Sequence, residues 1–366
     1  MSAYRQLRRA LAVGVAVLAA ACGDNPLGPA KPVDPVATAA RVQALPQSFN
    51  SPVLQSFALA APQSPAATRP LTSLQALLSA AGTTMSGRRA LSATESQRIS
   101  AALVAALPQT STAVTAAILP PEVLAKTYEW NTTSAMYEVT ARAGAPANGV
   151  RFILYNLDQF GAPIVAEEIG YADLMDESTS TLQRLHLLVV GTTTGSEVTY
   201  LDYTVAGSAS ATSANITVVG YVTDGTHRLD FNCTVAVTST AVSADIHFDV
   251  NADNDHVRLQ FTITPIGTTG LRLDITFRLQ LDTEVITLYG NDTLAGTSES
   301  GSFTVLVNSG IYATIKSTDG ALTFTGGAGQ ELTADDYAAL QAIFDAVGVV
   351  LDAFNNLLLP AGGAGV

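Results

Sequence analysis

Four histidines, at 186, 227, 247 and 256, and two cysteines, at 22 and 233, limit the chemistry available to this chain. His247 lies between Asp245 and Asp249 in an alternating stretch, a setting suited to acid–base work, but the same register places no serine or cysteine nucleophile beside it. His247 is therefore expected on a solvated polar strand face, and His186 and His227 are expected to stand alone. Asp249, Asn251, Asp253 and Asp255 place oxygen ligands at every second position, as calcium loops do. Glycine is missing from the sixth place, and Gln260 stands at the twelfth, where such loops carry a bidentate acid. These four residues make a calcium candidate, with a plain polar hairpin tip as the competing expectation. Cys233 falls in step with Phe231 and Val235, so it is expected as a buried small hydrophobe rather than a nucleophile. Trp130, Tyr128 and Tyr137 flank an early turn, where aromatics can form a sugar platform but more commonly pack a sheet margin. The chain contains no GxSxG, HExxH, paired CxxC, P-loop or dinucleotide fingerprint. It is expected to be a non-enzyme with no catalytic residue, resident metal or cofactor.

Cys22 has a different setting. Residues 1–22 run from a basic stretch ending at Arg9, through an apolar run from Ala10 to Leu18, to three alanines and the cysteine. That layout is a signal peptide's, and the run is too short to cross a ~30 Å hydrocarbon core at ~1.5 Å per residue. Leu18-Ala19-Ala20-Ala21-Cys22 resembles the lipobox of bacterial lipoproteins, with Leu18 one place further from the cysteine than in that pattern. The resemblance implies removal of residues 1–21, lipidation of Cys22 and attachment to a membrane in the cell envelope. Gly23 in place of an aspartate implies the outer membrane where the host has one. A diacylglycerol with an N-acyl chain exceeds the two signals that stable anchoring requires.

Composition sets the remaining bounds. With 48% hydrophobic and 13% charged residues, the 366-residue chain has ample apolar surface for a core. Its formal charge of -13 repels phosphate backbones, and no cluster of Lys or Arg offsets it, which excludes nucleic acid as a partner. If Cys22 is lipidated, Cys233 has no partner within the chain, and an intrachain disulfide framework is excluded.

The elements behind the lipobox follow in order. Residues 22–70 carry nine of the sixteen prolines and read as a Pro/Ala-rich tether. Within it, the apolar pieces Val36 to Leu45 and Val53 to Leu59 suit a helical turn or docking on the body. Residues 71–110 show helical spacing at Leu71, Leu74, Leu77 and Leu78 and again at Ile99, Leu103 and Leu107, with a capping box at Ser92 and Glu95. Residues 111–366 form the β domain.

There the period becomes two. Leu271 to Leu281 alternates without a break, and the pattern recurs from Leu229 to Val237, Ala244 to Val250 and Val257 to Ile263. Further strands are expected at Lys126 to Asn131, Met136 to Arg142, Val150 to Asn156, Leu182 to Val190, Val198 to Val205, Ile216 to Val222, Phe303 to Val307 and Tyr312 to Ile315. Short polar turns predict antiparallel hairpins, and pairing Val250 with Val257 sets Phe248 against Leu259 and Asp249 against Arg258. No crossover helix interrupts the strands, so parallel pairing is not expected. An amphipathic helix is predicted over Ala334 to Leu358, with Thr333, Asp335 and Asp336 at its positive end.

The fold class that results is α+β, mainly β. It is a large curved antiparallel meander of roughly 12–15 strands, packed on short N-terminal helices and one long C-terminal helix. The alternative is a pair of β-sandwich domains. The functional expectation is a non-catalytic, membrane-anchored lipoprotein holding an apolar small molecule or lipid between sheet and helices. Its alternative is a structural or adhesive envelope protein that contacts a partner or glycan.

Overall fold

A computed structural model describes residues 51–60 and 117–347, apart from 181, 193–194, 210–212, 239, 251–254, 267–269, 296–297, 320, 328, 330 and 344–345. Fifteen strands join in one sheet. The first five are β1 (Lys126–Asn131), β2 (Met136–Thr140), β3 (Gly149–Leu157), β4 (Pro163–Asp176) and β5 (Gln183–Gly191). Next come β6 (Val198–Ala209), β7 (Ser213–Thr223), β8 (Arg228–Thr238), β9 (Val242–Val250) and β10 (Asp255–Ile266). The last are β11 (Gly270–Leu281), β12 (Glu284–Ala295), β13 (Ser298–Val307), β14 (Gly310–Thr318) and β15 (Ala321–Gly326).

From β3 to β15 every strand pairs antiparallel with the next, so the meander is one sheet and the two-sandwich alternative is set aside. β1 is the exception, pairing parallel with β3 while β2 lies outside it. No crossover helix is required. The β1–β2 hairpin returns the chain to the end where β1 began, and β3 starts there in the same direction.

Alternation produces the core. One row of directly paired residues crosses the sheet through Val205, Val218, Cys233, Ile246, Leu259, Phe277, Leu288 and Val305, all buried. Tyr203, Phe231 and Phe248 fill the same face edge to edge, with centroids 5.9 and 6.4 Å apart. Rows of this kind bury one face and leave the other wet.

Not every strand keeps the simple pattern. β4 joins β3 through register irregularities near Leu154 and Tyr155, which interrupt the period. β12 contains Gly290-Asn291-Asp292, a sequence with turn chemistry, yet it continues straight. A Cβ on Gly290 would come within 2.8 Å of the Phe303 ring, so glycine there makes room for the cross-strand aromatic. β15, at the edge, is short.

Helix α1 (Pro52–Ala60) covers part of the apolar face near β3 to β6, burying Val53, Leu54, Phe57 and Ala60. Ser56, buried within it, accepts the Tyr155 backbone N–H at 2.9 Å. The apolar piece Val53 to Leu59 of the proline-rich segment thus lies within a docked helix. At the other end, residues 334–343 form helix α2, and 346–347 are also helical. Thr333 and Asp336 cap it reciprocally. The Asp336 N–H donates to Thr333 Oγ1, and the Thr333 N–H donates to Asp336 Oδ2 at 2.8 Å. Leu340, Ile343, Ala346 and Val347 are buried at helical spacing. The expected continuation to Leu358, the helical section 71–110 and the signal peptide with Cys22 lie outside the described residues.

Candidate functional site

The wet face between β8 and β12 follows from register. One row on this face runs Thr234, Asp245, Gln260, Thr276 and Tyr289, and the next runs Ala236, Ser243, Thr262, Asp274 and Asn291. The second row is mostly short side chains flanked by longer ones, and a trough opens along it. Two adjoining cavities of about 570 and 350 Å³ share Gln260, Phe261 and Thr262. Asp245 accepts from Arg258 Nη2 at 2.7 Å and from Gln260 Nε2 at 3.0 Å. Arg258 holds the Asp245 carboxyl below the usual range despite some burial. Tyr289, 43% exposed, offers a ring at the far end.

The β9–β10 register differs from the expected one by two residues. Val250 pairs with Asp255, Phe248 with Val257, Asp249 with His256 and His247 with Arg258. β10 begins at Asp255, so only four residues separate it from β9, and the ladder gains pairs that a longer connection would have lost. A shift of two keeps every side chain on its original face, which is why alternation alone does not detect it. Asp249 therefore does not meet Arg258. It accepts from His256 Nδ1 in a short contact, and His247 Nε2 lies 3.3 Å from the same oxygen, Oδ1. Arg258 leans the other way, toward Asp245.

This register also separates the calcium candidate. Asp255 is buried on the apolar side and accepts the Asp282 N–H at 3.1 Å, whereas Asp249 is on the wet side. The two carboxylates point to opposite faces, and Asn251 and Asp253 lie outside the described residues. The other histidines do not stand alone. His186 bridges Glu177 at 3.2 Å through Nδ1 and Asp202 at 2.8 Å through Nε2, and His227 Nδ1 meets Asp224 at 3.1 Å. His256 and Asp202 gain these roles from cross-strand register, which carries no mark in local sequence.

Cys233 is 1% exposed, and burial pushes its thiol far above the ordinary range, leaving no nucleophile there. The early aromatics are packing residues. Tyr128 stacks on Phe152 at 4.9 Å, and Tyr137 meets Trp130 edge-on at 5.5 Å while its hydroxyl donates to the Ile153 carbonyl. Among the described residues, no helix is long and apolar enough to cross a membrane. Set against known proteins, the chain matches no family model, no curated protein and no solved structure.

Proposed function

We propose that this protein is an exported, lipid-anchored component of the cell envelope that works by binding, and that its ligand is a glycan held on the wet face of the sheet. The observation that carries the reading is the trough across β8 to β12. Its lining of Thr, Ser, Asn and Gln supplies neutral donors and acceptors, the Asp245–Arg258–Gln260 network adds an oriented polar group, and Tyr289 adds a ring for stacking. Sugars present this mixture of hydroxyls and apolar ring faces. The -13 charge disfavours polyanionic glycans and favours neutral ones.

Cys22, lipidated after removal of residues 1–21, provides the anchor in this proposal. The sheet is taken to curl about its apolar face, with α1 and the C-terminal helix inside the curve. An apolar ligand between sheet and helices has less support, because Tyr203, Phe231 and Phe248 fill the face on which it would rest. The anchor is tested by Cys22→Ala, which should move the protein from membrane to soluble fractions. The trough is tested by glycan-array binding of the detergent-solubilised full chain beside Thr262→Trp, which fills the trough from the wet side. Neutral glycan binding should fall at least about tenfold, or ~1.4 kcal/mol. Equal binding by both proteins would sink the trough reading. Lipid co-purifying in stoichiometric amount would restore the apolar-ligand alternative.

A further inference from the structure

One cluster on the wet face is not accounted for by the trough. His247 and Asp249 project from β9 two residues apart, and His256 stands opposite Asp249 on β10. Their ligand atoms lie within 4.8 Å of one another, and each side chain is partly open to solvent. We propose that His247, Asp249 and His256 bind a transition-metal dication of the zinc, nickel or copper class, with at least one coordination position open toward the trough.

The donor set selects the ion. Two imidazoles and one carboxylate suit borderline metals, whereas calcium needs six to eight oxygens and finds one carboxylate here. The spacing fits as well. Bonds of about 2.0–2.1 Å arranged tetrahedrally separate neighbouring ligands by about 3.3 Å, and His247 Nε2 stands 3.3 Å from Asp249 Oδ1. The His256–Asp249 contact is tighter than that and opens to admit the ion.

Convergence separates this cluster from the other histidine–carboxylate contacts. His186 directs its two nitrogens at two different carboxylates on opposite sides of the ring, so its ligands share no common point. Here both imidazoles address one carboxylate oxygen. The neighbouring cations are engaged elsewhere. Asp230, set directly across from Asp249 on β8, holds Arg228 at 2.6 Å, and Arg258 is drawn off by Asp245, which leaves Asp249 to the histidines. Because His247 also lines the trough, an ion here would present its open position to a ligand bound there. The proposal does not depend on that ligand being a glycan.

The test uses the untagged full chain in detergent, stripped with chelator and titrated with Co²⁺ and then Zn²⁺. The expected result is one equivalent of Co²⁺ with visible d–d absorption, displaced by Zn²⁺, at an apparent Kd at or below about 10 μM. His247→Ala and His256→Ala should each weaken binding by more than about 100-fold, beyond what loss of an outer partner causes. His186→Ala should leave it unchanged. The two variants lie on different strands, and circular dichroism confirms that each is folded. If one does not fold, the other carries the test. No saturable Co²⁺ or Zn²⁺ uptake, uptake that survives the folded variants, or a preference for Ca²⁺ over Zn²⁺ overturns the proposal.

Discussion

The two faces of the β9–β10 hairpin respond oppositely to the same change of register. On the apolar face, a slip of two residues exchanges one aliphatic or aromatic partner for another, and the row through Ile246 and Leu259 closes over the core. On the wet face, the same slip replaces an Asp249–Arg258 pair with an Asp249–His256 contact and creates the His–Asp–His cluster. Hydrophobic packing is tolerant of which apolar residue sits opposite. Directional polar chemistry is not. The core therefore specifies which residues face inward, and the length of the connection decides which polar groups meet.

A cross-link discriminates most sharply between the two registers. In a chain lacking Cys22 and Cys233, Asp249→Cys with His256→Cys should oxidise to a disulfide in most molecules, because directly opposed residues lie within bridging distance. Asp249→Cys with Arg258→Cys should not. Gel mobility before and after reduction distinguishes them, and the reverse outcome would establish the register with Val250 opposite Val257.

The next largest difference concerns the faces themselves. Phe277→Ala, at a fully buried position, should cost about 3–5 kcal/mol in urea unfolding. Its neighbour Thr276→Ala, on the wet face, should change stability by no more than about 0.5 kcal/mol. Similar losses at both positions would mean that the wet face is covered.

Asp292 sharpens the contrast because it is a carboxylate on the apolar side of β12. Burial, and then the charge of Glu299, raise its pKa to about 6, and one of its oxygens is buried without a partner. A carboxyl raised in the folded state destabilises the fold when ionised. The penalty is therefore full above about pH 6 and disappears as the pH falls toward the unfolded value of about 3.9. Asp292→Asn should stabilise the protein by about 1–2 kcal/mol at pH 8, after allowance for partial exposure, and by almost nothing at pH 4. Thermal melts at the two pH values check the sign.

The smallest effect belongs to the wet-face ion pair. Arg258→Ala should cost only about 0.5 kcal/mol at pH 7, since both partners are substantially exposed. Asp245 has a lowered pKa, so this contribution is present above the unfolded carboxylate value and is lost as the pH falls through the folded one. Paired melts at pH 7 and pH 3 should show the difference between wild type and variant shrinking.

Much of the architecture was legible in residue order. The unbroken alternation from Leu271 to Leu281 specifies a strand and its inward face, because side chains of an extended backbone can point only two ways. Thr333 and Asp336 announce the start of α2 through local hydrogen bonds, and Cys233 is assigned to the core by its step from Phe231. β4 and β12 were harder to read. The period of β4 is broken by irregular pairing, and Gly290-Asn291-Asp292 in β12 looks like a turn until Phe303 is seen to need the space. The parallel β1–β3 pair depended on β2 folding to the outside.

The residue order by itself therefore determined the inner and outer face of most strands, the hairpin sequence and the burial of the core, all of which depend on the nearest few residues. The meeting of His256 with Asp249, the turn of Asp255 to the opposite face and the alignment of short side chains from β8 to β12 into a trough arise in the folded sheet alone. Those outcomes depend on register across strands, and a two-residue slip leaves the hydrophobic pattern unchanged while rearranging every polar contact.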